Sequence, residues 1–234
     1  MAEQSPADAL ARAIAVMARL RGPGGCPWDA EQTHVSLTKY AIEEAYEVAE
    51  AAEIGDDAAL EEELGDLLLQ VLFHAEIARE RGAFTLEDVA ATLVEKLTRR
   101  HPHVFAGASA ATPEEVEQNW DAIKRAEKPR SHPLDGIPHL PALARAQKVL
   151  SRARKAGLLA SVEPLAAADT PTPADGGALP TRADGAGDPA SSETIGAELL
   201  ALVQRAQSLG IDAEQSLRYA TRDLEAKLDL PPHA

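Results

Sequence analysis

VSLTKYAIEEAYEVAEAAEIGDDAALEEELGDLLLQVLFHAEIARERG, residues 35 to 82, decides the fold. Its first half, about Val35 to Ile54, carries Leu37, Tyr40, Ala41, Ala45 and Val48 on the apolar side of a helix. Gly55 then suits a left-handed C-terminal cap, and Asp56 or Asp57 an N-cap for the helix that follows. That second helix, about Ala58 to Arg81, shows Leu60, Leu64, Leu67, Leu68, Val71, Ala75 and Ala78 as a broad stripe, with Gly82 just past its end. Its length makes it the spine of a helical bundle.

Each helix carries an acidic i, i+3 pair: Glu44 with Glu47, and Glu63 with Asp66. Such a pair lies ~60° apart on one helix face, so two helices side by side converge four carboxylates. Hard divalent ions such as magnesium take oxygen ligands of this kind. Acidic helix faces are commonly just solvated, and three details argue for more. Glu61, Glu62, Glu63 and Asp66 crowd like charges that cost a few tenths of a kcal/mol per pair, a cost a counter-cation removes. Gly65 sits mid-helix despite a penalty of about 1 kcal/mol against Ala, as expected where another helix backbone comes close. Finally, Glu63 and Asp66 border the apolar stripe, which draws them toward the bundle interior.

Working outward, residues 8 to 20 read as an amphipathic helix through Leu10, Ile14, Met17 and Leu20, followed by GPGGCPWD, whose glycines and prolines do not stay helical. Thr85 with Asp88 resembles a capping box for a helix reaching about Arg99. Thr112, Pro113 and Glu115 start another, to about Ala126. Residues 163 to 190 hold five prolines and almost no large apolar side chains, which makes them a linker or mobile loop. Helical periodicity resumes over 193 to 228. A weak internal repeat aligns Gly65 with Gly196, placing LGDLLLQVLFHA over IGAELLALVQRA. Thr194 and Ala197 then fall where Glu63 and Asp66 stand, so the second copy cannot bind metal by the same means.

At 234 residues the chain has room for one main domain, and an aromatic content of only 3% beside abundant Ala, Leu and Glu favours a mostly α protein. The net charge of −15 excludes a coat for nucleic acid or an anionic membrane, though small anions can still meet local cations. Cys26 is the only cysteine, so no intramolecular disulfide forms and a reducing cytoplasm is expected. Arg12 interrupts the N-terminal apolar run, unlike a secretory signal, and the longest apolar run, Leu67 to Ala75, is far short of the ~20 residues that cross a bilayer.

Basic and aromatic residues follow. Lys96 and Arg100 stand at i, i+4 beside Arg99, and Lys124 lies one turn after Trp120. Their ordinary reading is a helix C-terminus complementing its dipole and an exposed helix with charge pairs. Trp28 and Trp120 are core residues or stack on a base. His34, His74, His101 and His103 have no spacing that compels a metal reading.

The ordered series GPGGCPWDAEQTH, EEAYEV, EELGDLLLQVLFHA, KLTRRHPHVF, NWDAIKRAEK and LDGIPHLPALARAQK closely resembles the MazG family of nucleoside triphosphate pyrophosphohydrolases. The resemblance covers about residues 8 to 156 and continues faintly through 193 to 228. It implies an all-α bundle, assembled as an intertwined homodimer, that cleaves nucleoside triphosphates between the α and β phosphorus with magnesium, or manganese in its place. It places metal ligands on Glu44, Glu47, Glu63 and Asp66, with Glu43 adjacent and either Glu43 or Glu47 as the base that activates water. Triphosphate contacts fall on Lys96, Arg100 and Lys124 with Trp120 beside them, and Trp28 and His34 look like base-side or entrance residues. Broad-specificity clean-up of the nucleotide pool is the implied role.

The organisation expected is a catalytic helical domain over 1–130, a connecting helical segment over 131–162, a linker over 163–192 and a degenerate second copy over 193–234. Two other classes compete. A di-iron carboxylate bundle uses Glu-x-x-His pairs on two helices, and this chain offers only Glu31 with His34. An acidic helical interaction protein would leave its carboxylates solvated.

Overall fold

In the computed structural model, which describes residues 6–110, 112–127, 131–161 and 189–228, the regular elements are α-helices, a short 3-10 turn and no strand. In chain order they are α1 (Pro6–Arg21), α2 (Pro27–Glu31), α3 (Thr38–Ile54), α4 (Asp57–Glu80), α5 (Leu86–Arg100), α6 (Pro102–Phe105), α7 (Pro113–Glu127), α8 (Ala142–Lys155), α9 (Pro189–Ser208) and α10 (Ala213–Leu228). The chain divides into two compact units, residues 1–124 and 125–234, with α7 running across the boundary. No helix of the described residues is long and apolar enough to cross a membrane.

Local chemistry sets the turns of the first unit. Gly55 takes φ 76°, a left-handed conformation open to glycine, and its N–H closes α3 on the Ala51 carbonyl at 3.1 Å. Asp56 then caps α4, its Oδ1 accepting from the N–H groups of Ala58 at 3.0 Å and Ala59 at 3.1 Å. So tight a turn folds α3 back along α4 as an antiparallel hairpin. Thr85 and Asp88 form the full reciprocal capping box at the start of α5. Thr112 Oγ1 likewise accepts from the Glu115 N–H at 3.3 Å.

The core gathers Met17 of α1, Leu37 before α3, and Leu72, Phe73 and Ile77 of α4, with Ala13, Ile14, Tyr40, Leu69 and Leu86 packed around them. Arg21 locks this core from outside. Its guanidinium donates to both carboxylate oxygens of Glu80, at 3.0 and 2.8 Å, and to the backbone carbonyls of Asp29 and Gln32. One side chain thereby ties the end of α1, the end of α2 and the end of α4 together.

Three expectations change. Of the expected α4 stripe, Ala75 and Ala78 are buried, but Leu64, Leu68 and Val71 are half exposed, and burial falls instead on Gln70, Leu72, Phe73, Glu76 and Ile77. Leucines occupy several faces of this helix, so periodicity alone does not choose the buried one. Gly65 was expected to admit a neighbouring backbone, but a Cβ built there meets nothing within 4 Å. A short helix, α2, also begins inside the Gly/Pro stretch, because Pro27 takes the first helical position, where its missing N–H costs nothing.

In the second unit Leu150 and Ala153 of α8 and Val203 of α9 are buried. Gln147 clamps the entry to α10, donating to the Ile211 carbonyl at 2.8 Å and accepting from the Ala213 N–H at 3.0 Å. Glu214 answers by accepting from the Ala144 N–H in the first turn of α8, at 3.3 Å. Arg145 and Arg152 donate to the carbonyls of Pro138 and Asp135, which fixes the loop before α8. The stretch expected as a linker, 163–192, lies almost wholly outside the described residues, and α9 starts at Pro189.

Candidate metal centre and its surroundings

The α3–α4 hairpin carries its acids symmetrically. Glu47 and Glu63 each lie eight positions from Gly55, and Glu44 and Asp66 each lie eleven. An antiparallel pair of helices with equal rise therefore brings the two acidic pairs to one level. Glu44, Glu63 and Asp66 each offer a carboxylate oxygen, and these three oxygens lie within 4.8 Å of one another. Glu47 is exposed and falls outside that group of three, but its charge acts on both Glu44 and Glu63. Glu43, one residue along, is exposed.

Electrostatics marks the cluster as short of positive charge. Burial pushes the Glu44 carboxyl above its ordinary value, and the charges of Asp66, Glu47 and Glu63 push the same way. Glu63 is raised too, by burial first and then by Glu47, Asp66 and Glu62. Protons are therefore held more tightly than by free carboxylates, and a divalent cation competes for the same oxygens. Oxygen-only donors at this spacing fit a hard cation better than a soft one.

Further along α4 two histidines meet. Nδ1 of His34 and Nδ1 of His74 are 2.8 Å apart, with ring planes within 4° and centroids 5.1 Å apart. A centroid separation well above the nitrogen separation places the rings edge to edge in one plane, not face to face. One Nδ1–H donates and the other Nδ1 accepts, so the pair accommodates one extra proton and loses its bond on taking two. Burial and the neighbouring His34 hold the His74 pKa below its ordinary value. His34, the histidine of the chain's Glu-x-x-His, is thus engaged with His74 and is absent from the carboxylate cluster, as a di-iron reading would not have it.

Trp28 is 49% exposed and sets its edge against Tyr40 of α3 and Phe73 of α4, with centroids at 6.1 and 6.4 Å. A second cluster forms at the end of α5. The Arg100 guanidinium lies over the Trp120 ring at 5.2 Å, and His101 meets the same ring edge-on at 4.9 Å. Lys96 stands one turn before Arg100 on α5, and Lys124 one turn after Trp120 on α7. Arg21, Gln70 and the His34–His74 pairing are contributions that spacing along the chain did not single out. The equal distances of the acids from Gly55 were a readable signal for the cluster itself.

The fold and this site define an all-α protein with a carboxylate cluster between two antiparallel helices. Residues 32–105 match the MazG nucleotide pyrophosphohydrolase domain. Over 224 residues the chain is 42% identical to the nucleoside triphosphate pyrophosphohydrolase/pyrophosphatase MazG of Thermotoga maritima, covering 89% of this chain and 80% of that one. It is 48% identical over 151 residues to the nucleoside triphosphate pyrophosphohydrolase of Escherichia coli K12, covering 62% of this chain and 57% of that one. A crystal structure of a mazG-related protein from Thermotoga maritima, 34% identical, is covered over 99% of its length and 50% of this chain with a TM-score of 0.42. The chain belongs to the MazG family of nucleotide pyrophosphohydrolases.

Proposed function

We propose that this protein hydrolyses nucleoside triphosphates to a nucleoside monophosphate and pyrophosphate, using magnesium held by Glu44, Glu47, Glu63 and Asp66. The observation that carries this reading is the convergence of three carboxylate oxygens within 4.8 Å in a chain of this family. A bound divalent cation supplies charge neutralisation at the α-phosphate and a more acidic water. Glu47, whose charge acts on both Glu44 and Glu63, takes the proton of the attacking water, with Glu43 beside Glu44 as the alternative base. The new bond joins water oxygen to the α-phosphorus, the α–β bridging bond breaks, and the pyrophosphate leaves with its electron pair.

Lys96, Arg100 and Lys124 stabilise the departing pyrophosphate, and Trp120 orients Arg100 by lying beneath its guanidinium. Trp28 presents its exposed face to the base, with His34 at the same end of the hairpin. Manganese substitutes for magnesium because the donors are all oxygen. The active form is a homodimer, a reading supported by α5, which leaves Val89, Leu93 and Leu97 exposed along one face and buries none of its residues. Its compartment is the cytoplasm, where the unpaired Cys26 stays reduced. Broad tolerance of bases, as in nucleotide-pool clean-up, completes the proposal.

The test is pyrophosphate release from a panel of canonical and modified nucleoside triphosphates, with and without magnesium, in the natural protein and in Glu63→Gln. We expect magnesium-dependent release that falls by about a thousandfold in the variant, with helicity intact. Full turnover in Glu63→Gln contradicts the assignment.

A further inference from the structure

Gln70 is the one buried polar side chain on the metal-bearing face of α4 that the mechanism above leaves unused. It is 6% exposed, and its Oε1 is buried without a hydrogen-bond partner. A buried amide in that condition is uncommon, since nearly all buried polar groups are paired. Its position is specific. At about 100° per residue Gln70 lies ~20° from Glu63 and ~40° from Asp66 around the α4 axis, so it projects from the same face. Along the axis it stands ~6 Å beyond Asp66, one turn away from the hairpin turn. Tyr40 of α3 is level with it, since both lie fifteen positions from Gly55. Trp28 leans on Tyr40, and the His34–His74 pair follows one turn later.

The order along the α3–α4 hairpin, counted away from Gly55, is therefore carboxylates, then the Gln70 amide, then the half-exposed indole. A nucleotide has the same order: phosphate, sugar, base. The chemistry of the orphaned atom narrows the partner further. Oε1 is an acceptor and calls for a donor, which an ionised phosphate does not offer and a sugar hydroxyl does. A hydroxyl both donates and accepts, so it satisfies either end of the amide.

We propose that Gln70 reads the sugar of the substrate, its amide hydrogen-bonding a 2′- or 3′-hydroxyl of a nucleoside triphosphate whose α-phosphate lies at the carboxylates. This rests on the pyrophosphohydrolase reading above and adds a substrate-binding residue to it. Gln70 is a sugar contact, while the metal ligands remain Glu44, Glu47, Glu63 and Asp66. In the free protein Oε1 waits unpaired, so replacing the residue with the apolar, similarly shaped methionine relieves a buried acceptor and raises the melting temperature while weakening substrate use.

The experiment measures magnesium-dependent kcat/KM with ATP and with 2′,3′-dideoxy-ATP in the natural protein and in Gln70→Met. We expect the natural protein to lose about tenfold on the dideoxy substrate, the scale of one hydrogen bond to a buried partner. We expect Gln70→Met to be down by a similar factor on ATP and to treat the two substrates alike, with an unchanged or higher melting temperature. Discrimination that survives intact in Gln70→Met overturns the proposal. The natural protein decides independently of the variant's folding: equal kcat/KM on ATP and its dideoxy analogue overturns the sugar contact and leaves the pyrophosphohydrolase reading standing. Absence of turnover with every triphosphate, by contrast, brings down that reading and the sugar contact with it.

Discussion

The segment α4–Gly82–α5 and the segment α9–Gly210–α10 are built alike, and they differ in what their helix faces carry. Each passes from a long helix through a glycine in the left-handed region, φ 66° at Gly82 and 72° at Gly210, into a side-chain-capped helix. Thr85 with Asp88 caps α5, and Asp212 caps α10 by accepting from the Gln215 N–H at 2.9 Å. In the alignment of Gly65 with Gly196, Leu72 falls on Val203, and both are buried. The chemistry does not follow the scaffold. Glu63, Asp66, Gln70 and His74 fall on Thr194, Ala197, Ala201 and Arg205, so none of these four positions keeps its carboxylate, amide or imidazole in the second copy. Helix, turn and cap need only local residue types, whereas the site needs a second acidic helix at the right distance from the turn.

The largest expected effect on stability tests whether the shared buried position is equally important in both segments. Leu72→Ala should cost about 3 kcal/mol, and Val203→Ala roughly 2 kcal/mol, because each leaves a cavity in a packed helix interface. Chemical denaturation reads both. We expect turnover per folded molecule to fall in Leu72→Ala, next to the site, and to persist in Val203→Ala. Equal loss of turnover in both would dissolve the distinction between a catalytic copy and a supporting one.

A smaller effect separates the units by pH. Glu44 and Glu63 have carboxyl pKa values raised above their ordinary 4.5, so their stability contribution is complete below that value and is lost as pH rises through the raised ones. Asp135 in the second unit is lowered from 3.8, by the Ser131 hydroxyl first, so its contribution is complete above 3.8 and is lost as pH falls below it. Calorimetry of metal-free protein, read as the difference between the natural protein and Glu63→Gln so that the opposite-signed contribution of His74 cancels, should show stability falling as pH rises above 4.5, and added magnesium should restore most at the high end. A magnesium effect independent of pH would show that these carboxylates do not hold the ion.

The smallest effect concerns Gly65. Open space around it means Gly65→Ala should stabilise the isolated chain by about 1 kcal/mol through helix propensity alone. Destabilisation in the assembled protein would show that another backbone does approach this face.

Much of this fold is written in short-range chemistry, which is why it reads from the chain. Gly55, Asp56, Gly82 and the Thr85–Asp88 box each act within a few residues, and each turn forms where those residues predict. The buried face of α4 is legible at Ala75 and Ala78 but not at the leucines, which surround the axis so that only the packing of α1 and Leu37 selects one side. Arg21 and Glu80 meet across 59 positions, a pairing no local pattern encodes. Among the site residues, the acids announce themselves by i, i+3 spacing on two helices. Gln70 does not, since a glutamine inside an apolar run looks like an ordinary tolerated polar residue until its lack of a partner is visible.

The central claim is that the α3–α4 carboxylates bind one kind of cation and that the second copy does not. Electron paramagnetic resonance titration of manganese tests it directly, in the natural protein, in Asp66→Asn and in Thr194→Val. The account predicts saturable binding in the natural protein, retained in Thr194→Val and lost at least tenfold in Asp66→Asn with its helical signal unchanged. Manganese bound as tightly by Asp66→Asn as by the natural protein would contradict it.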